Sequence, residues 1–128
     1  MDYIFDDNQP IYLQIKQRIC ADILRRKYSP GDKLPGIVET AMQFKVNHNT
    51  IQRVYQELIR EGVAISKRGE GTFVTEDTKV LKKMETELQT YAMEGFIEEM
   101  VRLGYQEGDL AQIIEQYIHS RQVKRKEE

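Results

Sequence analysis

Residues 46–58 read VNHNTIQRVYQEL and place unusual chemistry at the start of a helix. Asn47, His48, Asn49 and Thr50 are four consecutive uncharged hydrogen-bonding side chains, and Gln52 and Arg53 follow one residue on. Asn, His and Thr are mediocre helix formers, so helix stability does not account for them. On a helix of about 3.6 residues per turn, Ile51, Val54, Tyr55 and Leu58 share one face. His48, Asn49, Gln52, Arg53 and Gln56 then share the opposite face. Amides pair bidentately with adenine and a guanidinium with guanine, so this face matches base edges in a DNA major groove. Thr50 and the free backbone N–H groups of the first turn suit phosphate. The alternative is plain: a polar helix face is usually only a wet one.

Other chemistry finds little support. The two histidines, His48 and His119, are far apart and lack a local Cys, Asp or Glu pattern. The residues thus indicate no catalytic set, no metal site and no cofactor. Cys20 is the single cysteine, which excludes an internal disulfide, and its setting among Ile19, Ile23 and Leu24 points to a buried, reduced thiol. Net charge is −2, with residues 1–77 balanced at 11 basic and 11 acidic side chains. Within residues 45–68, however, Lys45, Arg53, Arg60, Lys67 and Arg68 face only Glu57 and Glu61. That local surplus suits phosphate but is weak support alone. No apolar run approaches the roughly 20 residues of a membrane span. The acidic start MDYIFDDNQP lacks a signal peptide's layout, so a cytoplasmic, membrane-free protein is expected.

The elements that must position the polar face follow from periodicity. Residues 2–9 are a polar lead-in. Pro10 opens a helix in which Ile11, Ile15, Ile19 and Ile23 recur every four residues beside Tyr12 and Leu24. Arg25, Arg26 and Lys27 meet the negative end of its dipole. Ser29-Pro30-Gly31-Asp32 is a turn, and Lys33-Leu34-Pro35 is extended because a residue before proline avoids helix geometry. A short helix carries Ile37, Thr40, Ala41 and Phe44. Asn47 then caps the polar-faced helix and Gly62 ends it. In VAISKRGEGTFV, Val63, Ile65 and Lys67 alternate as in a strand, Arg68-Gly69-Glu70-Gly71 turns, and Thr72, Phe73 and Val74 return. A glycine-rich tip bearing Arg68 approaches a narrow groove more closely than a bulkier tip would. The fold class is mainly α with a small β-hairpin: a winged helix-turn-helix over residues 1–77.

Residues 78–128 differ in texture. Leu81, Met84, Leu88, Tyr91, Phe96 and Met100 mark a long helix from about Thr78 to Leu103, and Gly104 breaks it. Asp109 caps a last helix bearing Ile113 and Tyr117, and the charged tail RQVKRKEE should fray. Two helices bury too little surface to stand alone, and a second copy is the simplest partner. Residues 78–128 are therefore expected to dimerise through these apolar side chains. Some winged helices dock proteins, and an adaptor without specific DNA binding is the rival reading.

Taken together, PIYLQI, PGDKLP, NHNTIQRVYQELIREG and RGEGTFV resemble the DNA-binding domain of GntR-family bacterial regulators, over about Gln9 to Val74. The two-helix tail with its Leu103-Gly104-Tyr105 break resembles the short YtrA-like subfamily. The resemblance implies a homodimeric repressor of an operon, often one encoding a transporter, and of its own gene. It implies double-stranded, roughly palindromic operator DNA as partner and gives no effector. It assigns DNA contact to Asn47, His48, Asn49, Thr50, Gln52 and Arg53, and minor-groove contact to Arg68 and Gly69 at the wing tip. Gln52 stands where many relatives have a base-reading Arg. Gly36 and Val38 replace the usual Ser and Arg after Leu-Pro, and His48 replaces a frequent Pro. The missing Arg would remove one phosphate contact and flatten the salt dependence by about one unit.

Overall fold

A computed structural model describes residues 5, 6 and 8–127. Part of the polar lead-in therefore lies outside the described residues. Helix α1 covers Ile11–Leu24, α2 Ile37–Phe44 and α3 His48–Arg60. Strands β1, Ala64–Lys67, and β2, Gly71–Val74, form an antiparallel hairpin. Helix α4 runs Thr78–Arg102, a short 3-10 turn covers Glu107–Asp109, and α5 runs Leu110–Glu127. The chain divides into two compact units, Met1–Glu87 and Leu88–Glu128. The division falls inside α4, ten residues past the boundary that texture suggests.

In the first unit, Ile15, Ile19 and Ile23 of α1 join Leu34, Ala41, Phe44, Ile51, Val54 and Leu58 in the core. Ile11 does not join them and stays 46% exposed. The reason is geometric: a step of four residues overshoots a full turn by about 40°, so the stripe rotates off the core over three steps. The Gln14 side chain, also buried, donates to the carbonyls of Asp6 (2.6 Å) and Gln9 (2.9 Å) and accepts from the Asp6 N–H (2.8 Å). One side chain thus pins Asp6 and Gln9 across the start of α1.

Three helices of this unit end in the same way. After α3, the Gly62 N–H reaches Ile59 O and the Val63 N–H reaches Leu58 O, both at 3.0 Å, with Gly62 at φ 80°. This is the Schellman arrangement, which satisfies carbonyls that the helix leaves open. Arg26 (φ 64°) does the same after α1, and Lys45 (φ 56°) after α2. Lys45 therefore makes the tight turn between α2 and α3 in a backbone region that glycine occupies at lower cost.

The wing is broader than a hairpin. Ala64 pairs with Val74 and Ile65 with Phe73. Lys33 bridges Phe73, while Leu34 N–H donates to Thr72 O and Val74 N–H to Asp32 O, both at 2.8 Å. The extended 32–34 segment thus adds a third edge. The structure adds which side of β1 faces the core. Ala64 faces the core with Val74, and Ile65 is 42% exposed. With period two, the core-facing position at Ala64 sends Ile65 and Lys67 outward, where the Lys67 ammonium sits 4.5 Å from the Phe73 ring centre.

Helix α4 starts on Asp77, whose carboxylate accepts the Lys79 N–H at 2.9 Å. Its first turns belong to the first unit. Met84 is only 5% exposed and lines a recess with Arg60, Val63 and Val80; Leu81 lines another with Ile23, Leu24 and Pro30. Met84 is thus covered by packing within the chain, while Leu81 stays half-buried.

The second unit is almost coreless. Of its described large apolar residues only Leu110 is buried. Gly104 (φ 102°) ends α4 as expected, its N–H on Val101 O and that of Tyr105 on Met100 O. The charged tail is helical: α5 continues to Glu127, and Lys124, Arg125 and Lys126 lie at the negative end of its dipole. Among the described residues no helix is long and apolar enough to cross a membrane.

Candidate nucleic-acid interface

Asn47 sits before α3 in extended geometry, and its side-chain oxygen accepts the Asn49 N–H at 2.8 Å. That bond satisfies one donor the helix start would leave open. The amide oxygen of Asn47 is thereby occupied, and its NH2 remains for a partner. His48, Asn49, Gln52 and Arg53 are exposed and Thr50 is half-buried. Behind them Ile51, Val54, Tyr55 and Leu58 are buried. The polar face is thus carried on a helix that its opposite side anchors.

Two sets of contacts fix the direction of that face. On one side the Tyr55 hydroxyl donates to Pro35 O and lies 2.9 Å from Thr40 Oγ1. A phenol has one proton, so with that proton on Pro35 the Thr40 hydroxyl must donate to Tyr55. The relay ties α3 to α2 and to the Leu34-Pro35 corner. Burial pushes the Tyr55 pKa up, against the hydrogen bond from Thr40, and so keeps the phenol protonated. On the other side α1 lies along α3. Lys16 hydrogen-bonds Glu61 and lies 3.7 Å from Glu57. Burial lowers the Lys16 pKa, but Glu61 and Glu57 outweigh it and leave it above the ordinary lysine value.

One turn before that ion cluster, the Arg53 guanidinium stands 3.6 Å from the centre of the Tyr12 ring. The sequence does not single out Tyr12, since nothing in its spacing shows which helix will run beside it. Arg68 and Gly69 lie exposed at the wing tip, on a separate element of the same unit, with Gly69 at φ 78°. On α2, Gly36 caps without a side-chain bond, and Val38 and Met42 are 56% and 73% exposed. They border an open cleft of about 650 Å³ with Lys33, Pro35, Tyr55 and Gly71. Two large apolar side chains in the open at i and i+4 are invisible to a pattern that assigns apolar residues to cores.

Residues 11–74 match the family of bacterial regulatory proteins known as the gntR family, half of the chain. The chain belongs to the GntR family. It is 43% identical over 104 residues to the HTH-type transcriptional regulator YhcF of Bacillus subtilis, covering 81% of this chain and 86% of that one. It is also 43% identical over 70 residues to the transcriptional repressor YtrA of the same organism, covering 55% and 54%. A GntR-family regulator from Listeria monocytogenes superposes with a TM-score of 0.77 at 36% identity, over 88% of this chain and 98% of that one. The DBD of AraR, solved in complex with an operator, superposes with a TM-score of 0.51 at 32% identity, over 59% and 92%. The winged helix-turn-helix is therefore the GntR one. The relatives are transcriptional regulators, not enzymes.

Proposed function

We propose that this GntR-family chain is a cytoplasmic, homodimeric repressor that binds a roughly palindromic operator and controls an operon together with its own gene. Residues 1–77 with the first turns of α4 hold DNA, and the rest dimerises. The observation that carries DNA reading is the exposed polar face of α3, capped by Asn47 and anchored by its buried side. The operator-bound AraR domain of the same fold supports it, and YtrA, named as a repressor, supports repression. Asn49 and Gln52 read bases, the Thr50 hydroxyl meets phosphate, and Arg68 and Gly69 approach the minor groove. Dimerisation rests on the second unit. Tyr91, Phe96 and Tyr117 are exposed there, Leu88, Met100 and Ile113 are half-covered, and a two-helix unit with one buried apolar residue lacks a core of its own.

Selection of bound duplex from a random DNA pool tests the reading. The expected product is a two-fold symmetric site with half-sites about one helical turn, ~10 bp, apart. Asn49→Ala and Gln52→Ala should each relax preference at particular base pairs, by roughly 1–3 kcal/mol. Failure to enrich any duplex over competitor leaves the adaptor role instead.

A further inference from the structure

Arg53 is grouped with the base-reading face by sequence, but its neighbours draw it elsewhere. Successive residues on a helix point about 100° apart, so Gln52 and Arg53 point in different directions across the polar face. The Arg53 flank is the α1 side. Tyr12 and Lys16, four residues apart on α1, meet Arg53 and Glu57, four residues apart on α3. Among the described residues no carboxylate pairs with Arg53. A guanidinium stacked on a ring keeps its N–H donors free at its edge, while the ring restricts its rotamers. The first turn of α1 holds no acidic residue, so nothing there competes for those donors and its dipole adds positive potential.

We infer that Tyr12 is a positioning residue that holds Arg53 at the α1 edge of α3 as a fixed contact to the DNA backbone rather than to a base. The inference rests on the DNA-binding reading above. A recognition helix in a major groove is bordered by phosphates, and a side chain held at its flank meets those before it meets base edges. Arg53 would then add affinity for all sequences, and discrimination would fall to Asn49, Gln52 and their neighbours.

The test uses the full-length protein and the duplex it enriches from a random pool, titrated at several salt concentrations beside a scrambled duplex. Arg53→Ala should weaken both duplexes by the same factor and reduce the salt slope by about one unit, with the enriched base pattern unchanged. Tyr12→Ala should weaken binding about two- to fivefold, and Tyr12→Phe, which keeps the ring, should restore it. In the Arg53→Ala background Tyr12→Ala should have no further effect. Thermal melts confirm that each variant is folded, and Tyr12→Leu replaces Tyr12→Ala if the latter is not. A changed base preference with Arg53→Ala overturns the backbone assignment. An equal effect of Tyr12→Ala with and without Arg53 overturns the positioning role. If the unsubstituted protein prefers no duplex, the functional reading and this inference fall together.

Discussion

Tyr55→Phe removes one oxygen and tests how the two helices of the reading head are held. The tyrosine accepts from Thr40 and donates to Pro35 O, so the substitution breaks two hydrogen bonds at once. Thr40 is 2% exposed, and water does not readily replace its partner. Each bond contributes about 1 kcal/mol net, and a buried group left unpaired costs about 1–3 kcal/mol. Part is recovered, because the Thr40 hydroxyl can turn back to the carbonyl of Gly36, four residues earlier. The net loss should be about 2 kcal/mol. For a cooperative unit of this size that lowers the melting temperature by roughly 8–16 °C. Thr40→Val loses only its own bond, while Tyr55 keeps Pro35, so it should cost about half as much. The double variant should cost less than the sum of the two. Thermal and urea unfolding of the four proteins gives the cycle. A melting temperature unchanged by Tyr55→Phe refutes the relay. A larger cost for Thr40→Val than for Tyr55→Phe refutes its direction.

Burial raises the Cys20 pKa from 9.0 to about 12, so the folded chain keeps a proton that the unfolded chain releases. Stability is therefore full below pH ~9 and falls as pH rises toward 12. Urea midpoints between pH 8 and 11 should show the decline, and Cys20→Ala should flatten it; identical slopes would remove Cys20 as its source. Tyr55, raised from 10.0 by burial, adds to the same loss above pH ~10. Lys45→Gly should stabilise the first unit by roughly 0.5–1 kcal/mol, because φ 56° is strained for lysine; a lower urea midpoint would show that the lysine side chain contributes more than the strain costs. Phe96→Asp and Tyr117→Asp, at exposed positions of the second unit, should yield monomers in sedimentation with the melt of the first unit intact; dimers of unchanged affinity would move the interface elsewhere.

The helical signals were strong in the sequence wherever a local rule decides the outcome. The Asn47 cap, the Gly62 stop and the Leu103-Gly104-Tyr105 break each depend on a few neighbouring residues, and each stands as expected. The polar and apolar faces of α3 were equally legible, since helical period alone separates them. Local rules fell short where the outcome depends on a distant neighbour. Ala64 and Ile65 lie on opposite sides of β1, and the pairing with β2 and the 32–34 edge turns Ala64 to the core. Met84 looked like part of one long seam with Tyr91 and Phe96, but the end of α3 covers it first.

The sequence by itself determined the order of elements, the family and the chemistry offered by α3. Those follow from residue type, spacing and capping, which act over a few positions. Only the tertiary structure decided where that chemistry points. Tyr55 meets Pro35 twenty residues away, and Arg53 meets Tyr12 on a helix packed alongside. Such contacts arise from packing two faces together, and no local spacing encodes the side chain that will stand opposite.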